Sequence, residues 1–79
     1  MNGATLEKVR AAAADLFHLP KETITARSSP ERIEAWDSLG HLNLILALES
    51  QFCIEFVPEE FGEMNTIGDI AKLVDAKLP

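Results

Sequence analysis

Apolar residues recur at helical spacing in four stretches of the chain, and no stretch alternates apolar and polar as a strand does. Leu6, Val9, Ala13, Leu16 and Phe17 mark the first helix, over about residues 5–17. Four consecutive alanines add propensity there, and Leu19-Pro20 marks its end. The second runs over Ser38–Phe52, with Ser38 or Asp37 as its N-cap, because either side-chain oxygen can accept from a first-turn N–H. Residues 53–58 break the pattern. Pro58, Glu59 and Glu60 then suit the first turn of a short third helix. The fourth starts at Thr66, which stands three residues before Asp69 in a capping-box-like spacing. Ile67, Ile70, Ala71, Val74 and Leu78 form its apolar face. The pattern predicts an all-α four-helix bundle with three longer helices and one short one.

Between the first two helices lies a long connection, roughly residues 18–37, carrying Pro20, Thr23, Thr25, Ser28, Ser29 and Pro30. A loop of this length is unusual in a small domain. Ile24, Ile33 and Trp36 are its expected anchors to the core, and long crossovers occur in four-helix bundles. With no internal repeat or linker, residues 1–79 read as a single domain, more in keeping with a free-standing protein than an excised piece.

The second helix carries more apolar surface than one core contact requires. At ~100° per residue, His41, Leu44, Ile45, Leu48 and Phe52 share the expected core face. Leu39, Leu42 and Leu46 form a second stripe beginning beside Ser38, with Asn43, Ala47, Ser50 and Gln51 beyond it. A surface helix usually needs one stripe. Leu39 and Leu46 read as an exposed patch that docks a partner. For Leu42, contact with a second neighbour in the bundle is an equal alternative.

Charge sharpens this picture. The formal net charge is −6, but residues 1–36 are balanced, whereas residues 37–69 hold seven acids and no Lys or Arg. That one-signed stretch repels nucleic acid and anionic lipid and would attract a basic partner surface. Solubility alone is the plainer explanation of the acids. The chain holds one cysteine, so it forms no internal disulfide. It shows no signal-peptide pattern and no apolar run long enough to span a bilayer. A soluble, cytoplasmic monomer is expected.

Asp37-Ser38-Leu39 stands between Trp36 and Gly40-His41-Leu42, at the opening of this apolar helix. The stretch resembles the attachment site of acyl and peptidyl carrier proteins. The resemblance continues through Leu48-Glu49, Phe52 and Ile54-Glu55-Phe56, and resumes at Thr66-Ile67-Gly68-Asp69-Ile70, so it covers essentially the whole chain. It implies a four-helix bundle on which a separate phosphopantetheinyl transferase attaches 4'-phosphopantetheine from coenzyme A to Ser38. The thiol of that arm would carry an acyl or aminoacyl cargo as a thioester. It also implies transferase and partner recognition by Asp37, Leu39, Asn43, Leu46 and Glu49. The implied partners are the transferase, an acyl- or aminoacyl-loading ligase, and downstream transferases or synthases. A carrier of this kind is not itself an enzyme.

The chain departs from the commonest carrier pattern. Fatty-acid-synthesis carriers usually have acids along the second helix, where this chain has Gly40, Asn43 and Ser50, with Glu49 retained. Glu34-Ala35-Trp36 replaces the family's Leu-Gly before the attachment site. Gly40 is more like D-alanyl and specialised stand-alone carriers. These differences suggest a dedicated pathway with its own loading enzyme.

Other readings of the same residues are weaker. A Ser38–His41 nucleophilic pair lacks a nearby glycine-rich oxyanion loop, and Asp37 is the nearest acid in sequence. His41 is expected to pack at the core edge or touch the arm. Cys53 reads as a small buried hydrophobe rather than a nucleophile. Trp36 reads first as a packing anchor and second as the wall of a cargo groove. The acids at 55–63 lack the alternating ligands and central glycine of a calcium loop. The rival to a covalent carrier is a non-covalent adaptor of the same fold that never receives the arm.

Overall fold

The computed structural model describes residues 3–78. Its order is α1 (Gly3–Phe17), a short 3-10 turn (Lys21–Thr23), α2 (Ser38–Phe52), α3 (Pro58–Phe61) and α4 (Ile67–Lys77). No strand occurs among the described residues. The all-α bundle with three longer helices, one short helix and a long connection between the first two is therefore the observed fold.

One core holds the helices together. Val9, Ala13 and Phe17 of α1 meet Leu44, Ile45 and Leu48 of α2 and Ile67, Ile70, Ala71 and Val74 of α4, all of them buried. Phe52, expected on the core face, is half-buried and packs against this cluster. Thr5 is also buried, and its Oγ1 donates to Asp75 Oδ1 at 2.9 Å, linking α1 to α4. Helix α1 stops where His18 adopts the left-handed conformation (φ 57°), and the Leu19 N–H donates back to the Ala14 carbonyl. That is a Schellman stop without glycine, which sequence patterns built on glycine miss.

The long connection is fixed at both ends of its path. Ile24, Ile33 and Trp36 are buried, as their placement in the sequence predicts. From α1, Arg10 donates Nε–H to the Ile24 carbonyl and a guanidinium N–H to the Lys21 carbonyl. Glu7 pairs with both Arg10 and Lys21. Hydrogen bonds from Lys21 and Arg10 hold the Glu7 carboxyl below its ordinary range. Further along, Ser28 is buried and its Oγ accepts from the Thr25 N–H.

The same connection caps α4. The Ile67 N–H donates to the Ser28 carbonyl and the Gly68 N–H to the Ala26 carbonyl, while Thr66 Oγ1 accepts from the Asp69 N–H. All three of the first N–H groups of α4 are thus satisfied by protein, although a helix start leaves such donors unpaired within the helix itself. A Cβ on Gly68 would lie 3.0 Å from the Ala26 carbonyl oxygen, so glycine permits this close approach. Of the capping box suggested by Thr66 and Asp69, only the threonine half forms. A full reciprocal box suits the longer Glu or Gln side chain.

Helix α2 ends on Cys53, again left-handed (φ 56°), with the Ile54 N–H bonded to the Glu49 carbonyl. Cys53 is exposed there, which corrects the expectation of a buried hydrophobe. Its place is set by backbone geometry at the helix end and not by apolar burial. Helix α3 is tied at its start by the Val57 N–H, which donates to Glu60 Oε1. The Glu60 carboxyl also meets Lys77 Nζ of α4 at 2.8 Å. The Lys77 hydrogen bond, with help from the Val57 N–H, holds the Glu60 carboxyl below the ordinary glutamate value. None of the described helices is long and apolar enough to cross a membrane.

Candidate functional site

Asp37 is the N-cap of α2. Its backbone is extended (φ −91°, ψ −167°), and Oδ1 accepts from the Gly40 N–H at 2.8 Å. The Asp37 carbonyl accepts from the His41 N–H. Ser38 follows as the first helical residue, and its side chain is exposed. The contrast with α4 is informative: here the Ser38 and Leu39 N–H groups have no acceptor among the described residues. An exposed hydroxyl therefore stands at an open helix start, where free N–H groups and the positive dipole end favour an attached or approaching anion.

Gly40 positions this turn. A Cβ there would lie 2.3 Å from the Ala35 carbonyl oxygen, 3.2 Å from Phe17 Cε1 and 3.3 Å from Asp37 Oδ1. Only a residue without a side chain lets the end of the connection fold over the first turn of α2. Gly40 is thus more than a mark of carrier type: local sterics account for the missing acid.

Behind Ser38 lies an aromatic unit. Trp36 is buried, stacks on Phe17 at 5.8 Å between centroids, and donates Nε1–H to His41 Nδ1 at 2.8 Å. The His41 ring lies nearly parallel to the indole, 14° between planes. Because Nδ1 accepts, the neutral imidazole carries its proton on Nε2. No hydrogen bond joins Ser38 to His41. The nucleophilic pair considered from sequence does not form; His41 packs at the core edge. Pro30, Trp36, Asp37, Ser38 and His41 together line a surface depression of about 450 Å³. A larger hollow of about 660 Å³ lies within the connection and shares no residue with it.

The predicted recognition residues divide into two groups. Leu39, Leu42 and Leu46 are 66%, 44% and 53% exposed, so the second stripe is free surface along its whole length and Leu42 belongs to it. Asn43 is exposed beside them. Glu49 is half-buried, and its Oε2 accepts from the Phe56 N–H at 2.9 Å. That carboxylate thus has a structural partner in the segment between α2 and α3. Sequence reasoning missed the Trp36–His41 bond. Its only signal was an indole donor and an imidazole acceptor five positions apart across a helix start.

No family model matches the chain. Acyl carrier protein 3 of Ralstonia nicotianae is 31% identical over 77 residues, spanning 98% of this chain and 88% of that protein. An acyl carrier protein of Thermosynechococcus vestitus is 35% identical over 74 residues, spanning 92% and 90% respectively. In three dimensions, the solution structure of a holo acyl carrier protein from Geobacter metallireducens superposes with a TM-score of 0.84 at 37% identity. It covers 92% of this chain and 84% of that one. Shared sequence along nearly the whole length, the shared bundle and the serine at its open helix start lead to one conclusion: this chain belongs to the acyl carrier protein family.

Proposed function

We propose that Ser38 is the attachment point of 4'-phosphopantetheine and that the chain, acting as one carrier domain, presents a thioester-bound cargo to a succession of enzymes. The observation that carries this reading is the exposed Ser38 hydroxyl at the start of α2, with two first-turn N–H groups left open around it. The residues present suit the group. A phosphodiester on Ser38 Oγ would sit at the positive end of α2, and the exposed side chain leaves an enzyme room to reach it. When attached, the arm supplies the thiol that bears the cargo. In the loading reaction a bond forms from Ser38 Oγ to the pantetheine-bearing phosphorus of coenzyme A, and the nucleotide part departs with the other phosphate. The serine proton passes to a base of the transferase.

The remaining residues serve recognition. Asp37 keeps Oδ1 on the cap and leaves its second oxygen for a metal ion or basic group of the transferase. Leu39, Leu42 and Leu46, with Asn43 beside them, offer an apolar ridge on an otherwise acidic half of the chain. Such a ridge suits transient contact with enzymes that carry basic patches, giving fast encounter and ready release. Glu49 contributes to that field while anchoring Phe56. The chain is a substrate of its partners and not an enzyme. Its missing acids at Asn43 and Ser50 favour a dedicated pathway with an acyl- or aminoacyl-loading ligase of its own, working in the cytoplasm.

The non-covalent adaptor makes the opposite prediction for one substitution. Ser38→Ala removes an exposed hydroxyl that caps nothing, so the fold is expected to survive. A carrier then loses cargo transfer completely, whereas an adaptor keeps partner affinity and activity. Reconstitution with the loading enzyme separates the two.

A further inference from the structure

We infer that the hollow of about 660 Å³ within the connection binds a free aliphatic carboxylate, with Arg27 and Arg32 holding the acid group and Leu19, Pro20, Ile24 and Ile33 its apolar body. The hollow shares no residue with the depression beside Ser38, so this inference stands apart from the carrier reading. Both charged residues that line it are cations, in a chain whose net charge is −6. Arg10 and Lys21, by contrast, both pair with Glu7. Arg27 and Arg32 have no side-chain partner among the described residues. Glu34 lines an adjoining hollow together with Arg32, but the two form no ion pair.

Hydrogen bonding selects the chemistry of the ligand. The carbonyls of Pro20, Ile24, Thr25, Ser28 and Ile33 each already accept a bond from the protein. The donors that line the hollow are less engaged. Thr25 Oγ1 accepts from the Arg27 N–H, and Ser28 Oγ accepts from the Thr25 N–H, so each hydroxyl keeps its proton to give. Ser28 is 7% exposed, and its proton has no acceptor among the described residues. A buried donor left unmade is costly, and a ligand that accepts from it removes that cost. Guanidinium groups and hydroxyls around one hollow call for a ligand that only accepts. A carboxylate does so, and its two oxygens match the guanidinium fork. The rest of the lining is apolar: Ile24 and Ile33 are buried, and Leu19 is 37% exposed. That share favours an acid with an aliphatic body over a bare inorganic anion. The volume falls within the range of small-molecule sites, about 300–1,000 Å³.

The test titrates decanoate into the full chain, ¹⁵N-labelled and not loaded, and follows the amide resonances. Saturable shifts are expected at Thr23, Thr25, Arg27, Ser28 and Ile33, with affinity falling as salt is raised. Decanol has the same length without the charge, and inorganic phosphate has charge without the apolar body; each should bind about tenfold more weakly. The double variant Arg27→Gln, Arg32→Gln should melt where the parent does, because neither side chain has a partner to lose. It should bind decanoate about tenfold more weakly, as the loss of charge-assisted contacts at a half-open site requires. Decanol or phosphate binding as tightly as decanoate overturns the inference. So does unchanged affinity in the folded double variant, the absence of any saturable shift, or shifts centred instead on Leu44, Leu48 and Ile67 of the core. Loading at Ser38 is read separately by mass, so none of these outcomes bears on the carrier reading.

Discussion

Replacing Gly40 with alanine should lower stability although alanine is the better helix former. The substitution gains about 1 kcal/mol of helix propensity. Against this, the new Cβ would lie 2.3 Å from the Ala35 carbonyl oxygen, more than an ångström inside ordinary contact, with Phe17 Cε1 and Asp37 Oδ1 also tight. The obstructing atom is backbone, so no rotamer change relieves it. Overpacking of this kind costs about 3 kcal/mol at the upper end of its usual range. The net loss is about 2 kcal/mol, which for a domain of this size lowers Tm by roughly 8–16 °C. Relief has to come from moving the Ala35 to Asp37 segment, so the N-cap loosens and loading at Ser38 slows as well. Thermal melts followed by circular dichroism give the first quantity, and time courses of loading give the second. Gly62→Ala is the control, because nothing lies within 4 Å of a Cβ there and φ is −73°. It should be neutral or slightly stabilising. An unchanged or raised Tm in Gly40→Ala would refute the close approach of the connection to α2.

Three further outcomes follow from the same contacts. Leu46→Glu, at a side chain 53% exposed, should leave the melt within about 0.5 kcal/mol of the parent and weaken loading by the partner enzyme; a large loss of stability would mean that Leu46 packs in the core. Cys53→Gly relieves a left-handed non-glycine residue whose side chain is exposed. It should stabilise by about 1 kcal/mol, seen as a higher Tm under reducing conditions; a lower Tm would show that the thiol side chain packs. For Glu60, the folded-state value is lowered by Lys77, so its contribution is present above the ordinary glutamate range and fades as pH falls through the lowered value. Glu60→Gln should therefore melt below the parent at neutral pH and converge with it in acid; a constant gap across the series would contradict the pairing.

Much of the fold is legible in the sequence because apolar periodicity and capping residues act locally. Leu44, Ile45 and Leu48 declare the core face of α2, and Asp37 declares its start. The exposed ridge is legible for the same reason: a helix with more apolar surface than one core contact needs must present the rest elsewhere. What escaped is set by contacts distant in sequence or by backbone shape without a residue signature. Carbonyls of Ala26 and Ser28 cap α4 from some forty positions away, and any residue has a carbonyl to offer. His18 and Cys53 stop their helices in a conformation usually marked by glycine. The meaning of Gly40 depends on Ala35 lying across it, and the bond from the Phe56 N–H to Glu49, expected only as a recognition residue, joins positions seven apart across the end of α2.

The most direct test of the central claim is intact mass after incubation with coenzyme A, magnesium and a broad-specificity phosphopantetheinyl transferase, with Ser38→Ala in parallel. A gain of one phosphopantetheine is expected in the parent and none in the folded variant. A folded parent that gains nothing from several different transferases, or a Ser38→Ala variant that gains the same mass, would contradict it.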